Sequence, residues 1–526
     1  MWTTTFNLLT RVCRGPCGAL TGGLGKRPVV VQFSMTLPNL VGCVMLLIAL
    51  SSSHVARAEE FAATGPTRET RLPPEKFLGA VKVTFDLQPT TMSFDLPWHF
   101  CSVAENGLKF AHFAAETYDP RRWNGAGADA SFEPGMDKEG RFARVWIEHQ
   151  SAARIVVRVR YALNNSAYEI AHDDIATNSP YNGGHGDWGE EFFYIYPDGT
   201  YLRHMRIHTG LAAMSQPSGW FREPPQVVHE FMESIVIGPR GHAPTDDIQT
   251  SPAVSLFKMF GNNPGTVFAS GKRQDIDYEL PDGPPADYGD FRDANIMLIH
   301  AKSQYRPFTI GLPYGVKASP YGWEDNRKYP FATWTGYSEP SIGYISAIGH
   351  IINHWHFRRT ERTLEQVYLH GMTKTPDPQT GIMQLAWSWV AAPELQMPGV
   401  PKSPNGSTGQ YQRFTYDQTQ RAYVVPRKES GPTPVEFGLV SIYDDRHLHG
   451  TMWLVNPAIV VPNWNDSDIG ITLKLDGVTL QNGSDYRFGF EQTKSGKDLV
   501  IWIKQTIDLT AIEDHCVAVS ILPAAR

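Results

Sequence analysis

Cysteine is scarce in this chain, with five in 526 residues, and three of them (Cys13, Cys17 and Cys43) precede residue 58. Neither Cys101 nor Cys516 belongs to a CxxC or Cys/His pattern, which leaves thiol redox chemistry and sulfur-ligated zinc without support. The two are either partners in one disulfide of an oxidising compartment or unpaired thiols. An excess of basic residues is also missing. The net charge is −7, the sequence pI is about 6.2, and Lys and Arg are dispersed, so nucleic acid is not an expected partner. The chain carries no GxSxG, HExxH, P-loop or dinucleotide-binding fingerprint. No interval of 20–50 residues recurs, which argues against a propeller or solenoid.

Long apolar runs are equally short in supply. Leu37 to Leu50 is mostly apolar, centred on Val44–Leu50, but is too brief to span a bilayer as a permanent helix. Small residues follow, and Ala56-Arg57-Ala58 has the small-x-small form of a signal-peptidase site. Residues 1–58 therefore read as an export signal, with cleavage near Ala58 and a secreted or periplasmic product. Met35 is a plausible start that would make residues 1–34 an upstream extension, whereas an earlier start supplies Arg14, Lys26 and Arg27 as a positive n-region. Leu40-Val41-Gly42-Cys43 is similar to a lipoprotein box, although its apolar run follows the cysteine. A basic transit peptide is the remaining alternative.

What the chain does have is turn formers and rings: 46 glycines, 39 prolines and 12% aromatics. This favours many short strands over long helices. Residues 59–78 read as a polar linker. Residues 79–397 read as a large antiparallel β-sandwich of supersandwich type, and 411–526 as a smaller C-terminal β-sandwich after the Pro398–Gln410 linker. Phe142–His149 and Arg154–Tyr161 alternate as a strand pair, with Ile155, Val157 and Val159 inward and Arg154, Arg158 and Arg160 on the other side. Val227–Ile237 continues the series. Residues 254–260 and 343–354 are candidates for short helices. Asp476-Gly477 and Asn482-Gly483 mark hairpin turns in the C-terminal unit. The class is all-β.

The segment from His185 to His208 holds the densest chemistry. Two strands meet at the turn Pro197-Asp198-Gly199. Alternation places Phe192, Tyr194 and Tyr196 on one face of the first strand, with Glu191, Phe193 and Ile195 on the other. In the second strand His204, Arg206 and His208 share a face, and Tyr201, Arg203, Met205 and Ile207 share the opposite one. Such a mixture of Tyr, Trp, His and Arg suits a groove for a hydroxylated, anionic ligand, because rings pack on sugars while Arg and His meet acidic groups. An amphipathic surface hairpin is the structural alternative. Three further segments supply reactive groups: His229–Glu233, the Tyr314–Tyr337 loop and His350–His356. His354 and His356 have a spacing compatible with two metal ligands, and His350 or Glu230 is a candidate third, so a divalent metal stays open.

β-Elimination on a uronic-acid polysaccharide fits this inventory. The carboxylate must be neutralised so that the adjacent proton becomes acidic, and a base must then remove it. The run Trp188–Gly199, with His229–Glu233, Leu473–Gly477 and Asp485-Tyr486-Arg487, resembles secreted β-sandwich proteins of planctomycete-type bacteria that are close to polysaccharide lyases such as ulvan lyases. The likeness covers about residues 95–525 and implies a uronate-containing, sulfated substrate. Tyr194 and His350 are the expected proton-transfer groups, Arg203 and His185 the uronate-neutralising groups, and Glu230 an orienting carboxylate. Trp188, Trp323 and Trp334 are expected sugar platforms, with Asn326, Arg327 and His354 as further substrate contacts. A glycoside hydrolase drawing on Asp187, Glu190, Glu191 and Glu230, a non-catalytic carbohydrate-binding protein and a purely structural sandwich are the competing readings.

Overall fold

The computed structural model describes residues 63–67, 80–85, 90–95, 100–105, 108–113, 116–118, 131–173 except 138, 186–209, 228–260 except 230, 267–277, 291–313 except 292, 316–319, 332–333, 342–353, 358–360, 363–374, 378–396, 416–427, 433–440, 453–464, 470–509 and 516–523. The protein is all-β, as its alternating runs and turn residues dictate.

Among the described residues two large antiparallel sheets form the N-terminal body. One has nine strands and runs in the order Ala63–Thr67, Ala80–Thr84, Thr91–Asp95, Phe100–Glu105, Leu108–Phe113, Phe231–Pro239, Ile342–Asn353, Val316–Ser319, with Ala332–Thr333 beside Ile342–Asn353. The other has ten: Val267–Ile276, Val254–Phe260, Ile296–Ile299, Arg306–Gly311, Thr363–Thr373, Tyr201–His208, Trp188–Ile195, Ile155–Ala162 and Arg144–Gln150, with Arg358–Arg359 paired to Thr363–Thr373. Their facing sides bury one apolar core containing Val81, Phe94, Val157, Phe193, Ile207, Ile348 and Tyr368. Phe94 and Phe193 meet edge to face across it, with ring centroids 4.8 Å apart, a favoured aromatic geometry.

The expected inward set Ile155, Val157 and Val159 joins this core. Two expectations fail. Val254–Phe260 and Ile342–Asn353 are strands, and the longest α-helix among the described residues lies instead at Pro378–Val390. The first is apolar on both faces because both are covered: Val254 and Leu256 enter the inter-sheet core, while Phe257 and Met259 pack under the helix with Trp387 and Trp389. A strand buried on both sides loses the alternation that would have distinguished it from a helix.

The helix covers one half of the outer face of the ten-stranded sheet. The other half is built from Arg144–Gln150, Ile155–Ala162 and the hairpin Trp188–His208, and most of its outward side chains are polar or aromatic, with Arg144, Arg160 and His208 exposed.

Two five-stranded sheets make the C-terminal sandwich around Phe437, Trp464, Leu473, Ile501 and Val519. It includes Glu394–Gln396, paired to Val435–Val440, so this sandwich takes up chain upstream of the expected linker. One pair, Ala422–Val424 with Ala458–Val461, is parallel. The Asp476-Gly477 turn carries φ of 48° and 80°, the two positive values that a type I′ hairpin requires. Among the described residues no helix is long and apolar enough to cross a membrane.

Candidate functional site

The hairpin folds in register from Trp188↔His208 to Ile195↔Tyr201. Its tip is closed by Asp198, whose Oδ1 accepts hydrogen bonds from Thr200 N at 3.0 Å and Thr200 Oγ1 at 2.7 Å. That register separates the residues expected to act together. Phe193, not Tyr194, stands opposite Arg203, so Tyr194 and Arg203 project from opposite faces of the sheet.

Arg203 points into the space between the two sheets. Its Nε donates to Glu191 Oε2 at 2.5 Å and its Nη2 to Glu191 Oε1 at 2.8 Å, while Tyr161 OH donates to Glu191 Oε1 at 2.5 Å. Both partners are buried, at 3% and 2% exposure. Gly189 makes room for this network, since a Cβ there would stand 2.1 Å from the Tyr161 ring. Arg203 is thus a buried structural cation and does not reach a substrate carboxylate.

Tyr194 projects to the outer face but under the C-terminal sandwich. The Arg154 guanidinium lies 5.1 Å from its ring centroid. Burial raises its hydroxyl well above the ordinary tyrosine value, which makes its deprotonation costly. His350 belongs to the nine-stranded sheet, where it pairs with Glu233 and Ser319, on the far side of the core from the hairpin. The expected trio of Tyr194, Arg203 and His350 does not converge. His185, Glu230, Trp323, Asn326, Arg327, Trp334 and His354 lie outside the described residues. Among those described, no group of three or more His, Cys, Asp or Glu is arranged to hold a metal ion.

What does converge is the open half of the outer face. Reading across the strands at one level, Arg144↔Arg160, Arg160↔Glu190, Glu190↔Arg206, Arg206↔Glu365 and Glu365↔Arg358 are successive partners. Partners directly opposite share a face, so these six form one charged row. The next level holds Trp146, Arg158, Phe192 and His204.

The two rows are knitted together. Arg158 Nε donates to Glu190 Oε1 at 3.0 Å, and its guanidinium lies 5.0 Å from both the Trp146 and the Phe192 ring centroids. Phe192 stacks on His204 at 6.2 Å. His204 Nε2 is 3.0 Å from Glu365 Oε2, and Arg206 Nε donates to Glu365 Oε1 at 3.0 Å. The hydrogen bond from His204, then the charges of His204 and Arg206, hold the Glu365 carboxyl down at about 2 against the desolvation that opposes them.

At the Trp188 end, His208 stands directly across from Trp188 and is exposed. Its Nδ1 is 3.3 Å from Thr363 Oγ1. Partial burial, followed by the Arg206 and Arg160 charges acting against Glu190, lowers its pKa below the ordinary histidine value. Arg160 in turn lies 5.2 Å from the Trp188 ring centroid. A neutral imidazole, two guanidinium groups and an indole therefore share one exposed corner. Of the expected site residues only Trp188 is found here. Alternation on one strand face signals Arg160, Arg206 and His208 in the sequence but not Glu365, and only the pairing register assembles the four.

No family model matches the chain, and no curated protein matches it. Among solved structures, a galactose 1-epimerase from Lactobacillus acidophilus NCFM is similar at a TM-score of 0.28 and 7% identity, covering 59% of this chain and 99% of its own. A polysaccharide lyase is similar at a TM-score of 0.14 and 7% identity, covering 88% of this chain and 47% of its own. At these scores neither carries an inference about fold or activity.

Proposed function

We propose that the protein binds an acidic polysaccharide on the open half of the ten-stranded sheet and cleaves it by β-elimination next to a uronate. The observation that supports this is His208: a histidine kept neutral, exposed, and flanked by Arg160 and Arg206. β-Elimination needs both at one place, a neutral base and cations that offset the carboxylate charge as the adjacent carbon loses its proton. In this reading Arg160 and Arg206 take the carboxylate, Trp188 packs on a sugar ring, and His208 accepts the C5 proton. The C5–H electrons form the C4–C5 double bond, the C4–O bond breaks, and the departing oxygen takes a proton from solvent.

The hydrolytic alternative fits less well. Glu148, Glu190 and Glu365 are carboxylates of this face, and a hydrolase acid must hold its proton near neutrality. Glu365, at about 2, stays ionised. An exported location with cleavage near Ala58 suits a polymer too large to enter a cell.

The test is incubation of the full chain with ulvan, alginate, glucuronan and glycosaminoglycans. Elimination generates unsaturated uronate ends with new ultraviolet absorbance. Reducing ends without that absorbance would replace elimination by hydrolysis, and binding without either product would leave a lectin-like protein.

A further inference from the structure

The spacing of cations in the charged row carries information about the ligand beyond the reaction. Resting on the reading that this face binds an acidic glycan, we infer that the polymer lies across the strands and carries its acidic groups on alternate sugar units. Arg160 and Arg206 are separated by one strand, which contributes Glu190. Arg206 and Arg358 are likewise separated by one strand, which contributes Glu365. Neighbouring strands lie about 4.8 Å apart, so these three cations repeat at roughly 10 Å with a carboxylate midway in each interval, while the row's fourth cation, Arg144, lies one strand beyond Arg160 and donates to the Gly140 and Ala143 carbonyls. Arg160 and Arg358 are exposed, and the Arg206 side chain is 32% exposed.

The intervening carboxylates make this a selective pattern. Glu190 and Glu365 accept from guanidinium and imidazole donors within the sheet, yet a carboxylate has about four acceptor positions. A sugar hydroxyl placed above either finds an acceptor. A second acidic group placed there meets a fixed negative charge, and like-charge juxtaposition is a strong means of rejecting a wrong partner. Arg206, with five donors, keeps some for a ligand after bonding Glu365. The interval of about two strand spacings corresponds to two sugar units of an extended chain. A glycan alternating acidic and neutral sugars therefore meets cation, acceptor and cation in turn, whereas a polyuronate sets every second carboxylate against Glu190 or Glu365.

The experiment compares direct binding, by calorimetry at low salt, of chain-length-matched oligomers of hyaluronan, in which uronate alternates with a neutral amino sugar, and of glucuronan, which is acidic at every unit. The full chain is expected to prefer the alternating oligomer by about tenfold or more. The double variant Glu190→Gln/Glu365→Gln, verified as folded by circular dichroism, is expected to lose most of that preference by gaining affinity for glucuronan. Arg358→Gln, which removes one end of the row, is expected to weaken the alternating oligomer more when it spans four units than when it spans two. Equal affinity for the two polymers, or an unchanged preference in the double variant, overturns the inference. Binding is read without turnover, so absence of elimination would count against the proposed reaction and leave this result standing.

Discussion

Trp188 and His208 stand directly opposite each other at the open end of the hairpin, and both project from the outer face of the ten-stranded sheet. Every other group of the proposed site is counted from this pair: Arg160 against the Trp188 ring, Arg206 two residues before His208 on the same face, and Glu190 two after Trp188.

Replacing His208 with Gln removes the base and keeps a hydrogen-bonding side chain beside Thr363. The elimination rate is expected to fall by roughly 10²–10⁴-fold, the usual worth of a general base, with binding of the polymer nearly unchanged. A KM that rises in step with the loss of kcat would make His208 a binding residue.

The acidic limb of the rate profile follows from the same residue. Its folded pKa lies below the ordinary 6.5, so the neutral form persists through that value as pH falls. The rate of elimination is expected to hold down to below pH 6.5 and to decline only under it. A limb centred above 6.5 would contradict the environment described for His208.

Glu365 sets a separate dependence, on stability. Its carboxyl is held at about 2 in the folded chain against an ordinary 4.5. A depressed carboxyl contributes stability that is present above the unfolded value and lost as pH falls through the folded one. Denaturant midpoints are expected to drop between about pH 4.5 and 2, and the drop should be shallower in Glu365→Gln. Parallel curves for the two proteins would show that the carboxylate contributes nothing there.

Arg203 gives the opposite kind of test. Its removal strands Glu191 without a counter-charge between the sheets, which costs about 3–5 kcal/mol for a buried pair. Arg203→Met is expected to unfold at much lower denaturant, and Arg203→Met/Glu191→Leu to recover much of the loss. If Arg203→Met keeps its stability and loses ligand affinity, Arg203 is reaching the substrate after all.

The architecture was readable in the sequence because strands exposed on one face advertise themselves. Ile155, Val157 and Val159 alternate with Arg154, Arg158 and Arg160, and the structure honours that division. The site was not readable, for a reason that Tyr194 and Arg203 illustrate. Alternation places each on the right face of its own strand, but pairing them requires the register, and one residue of register exchanges the faces. Nor could composition tell that Arg203 has a private partner in Glu191 while Arg160 looks outward. Residues 254–260 read as a helix in the sequence because the helix packed on one side and the sheet on the other erase their periodicity.

The hairpin that bears His208 is fastened at its other end. Arg154 grips Glu491 through two bonds of 2.7 Å, Tyr196 OH donates to the Gln420 carbonyl, and Asn456 Nδ2 donates to Asp198 Oδ2 at 2.7 Å. Gly489 packs so tightly on Ser151 that a Cβ would stand 2.3 Å from the serine Cβ. The C-terminal sandwich is therefore not an interchangeable accessory of the kind that can be trimmed off or exchanged. Amputating it would unseat Arg154, bare the Tyr194 ring to water and loosen the two strands on which the reactive corner is mounted.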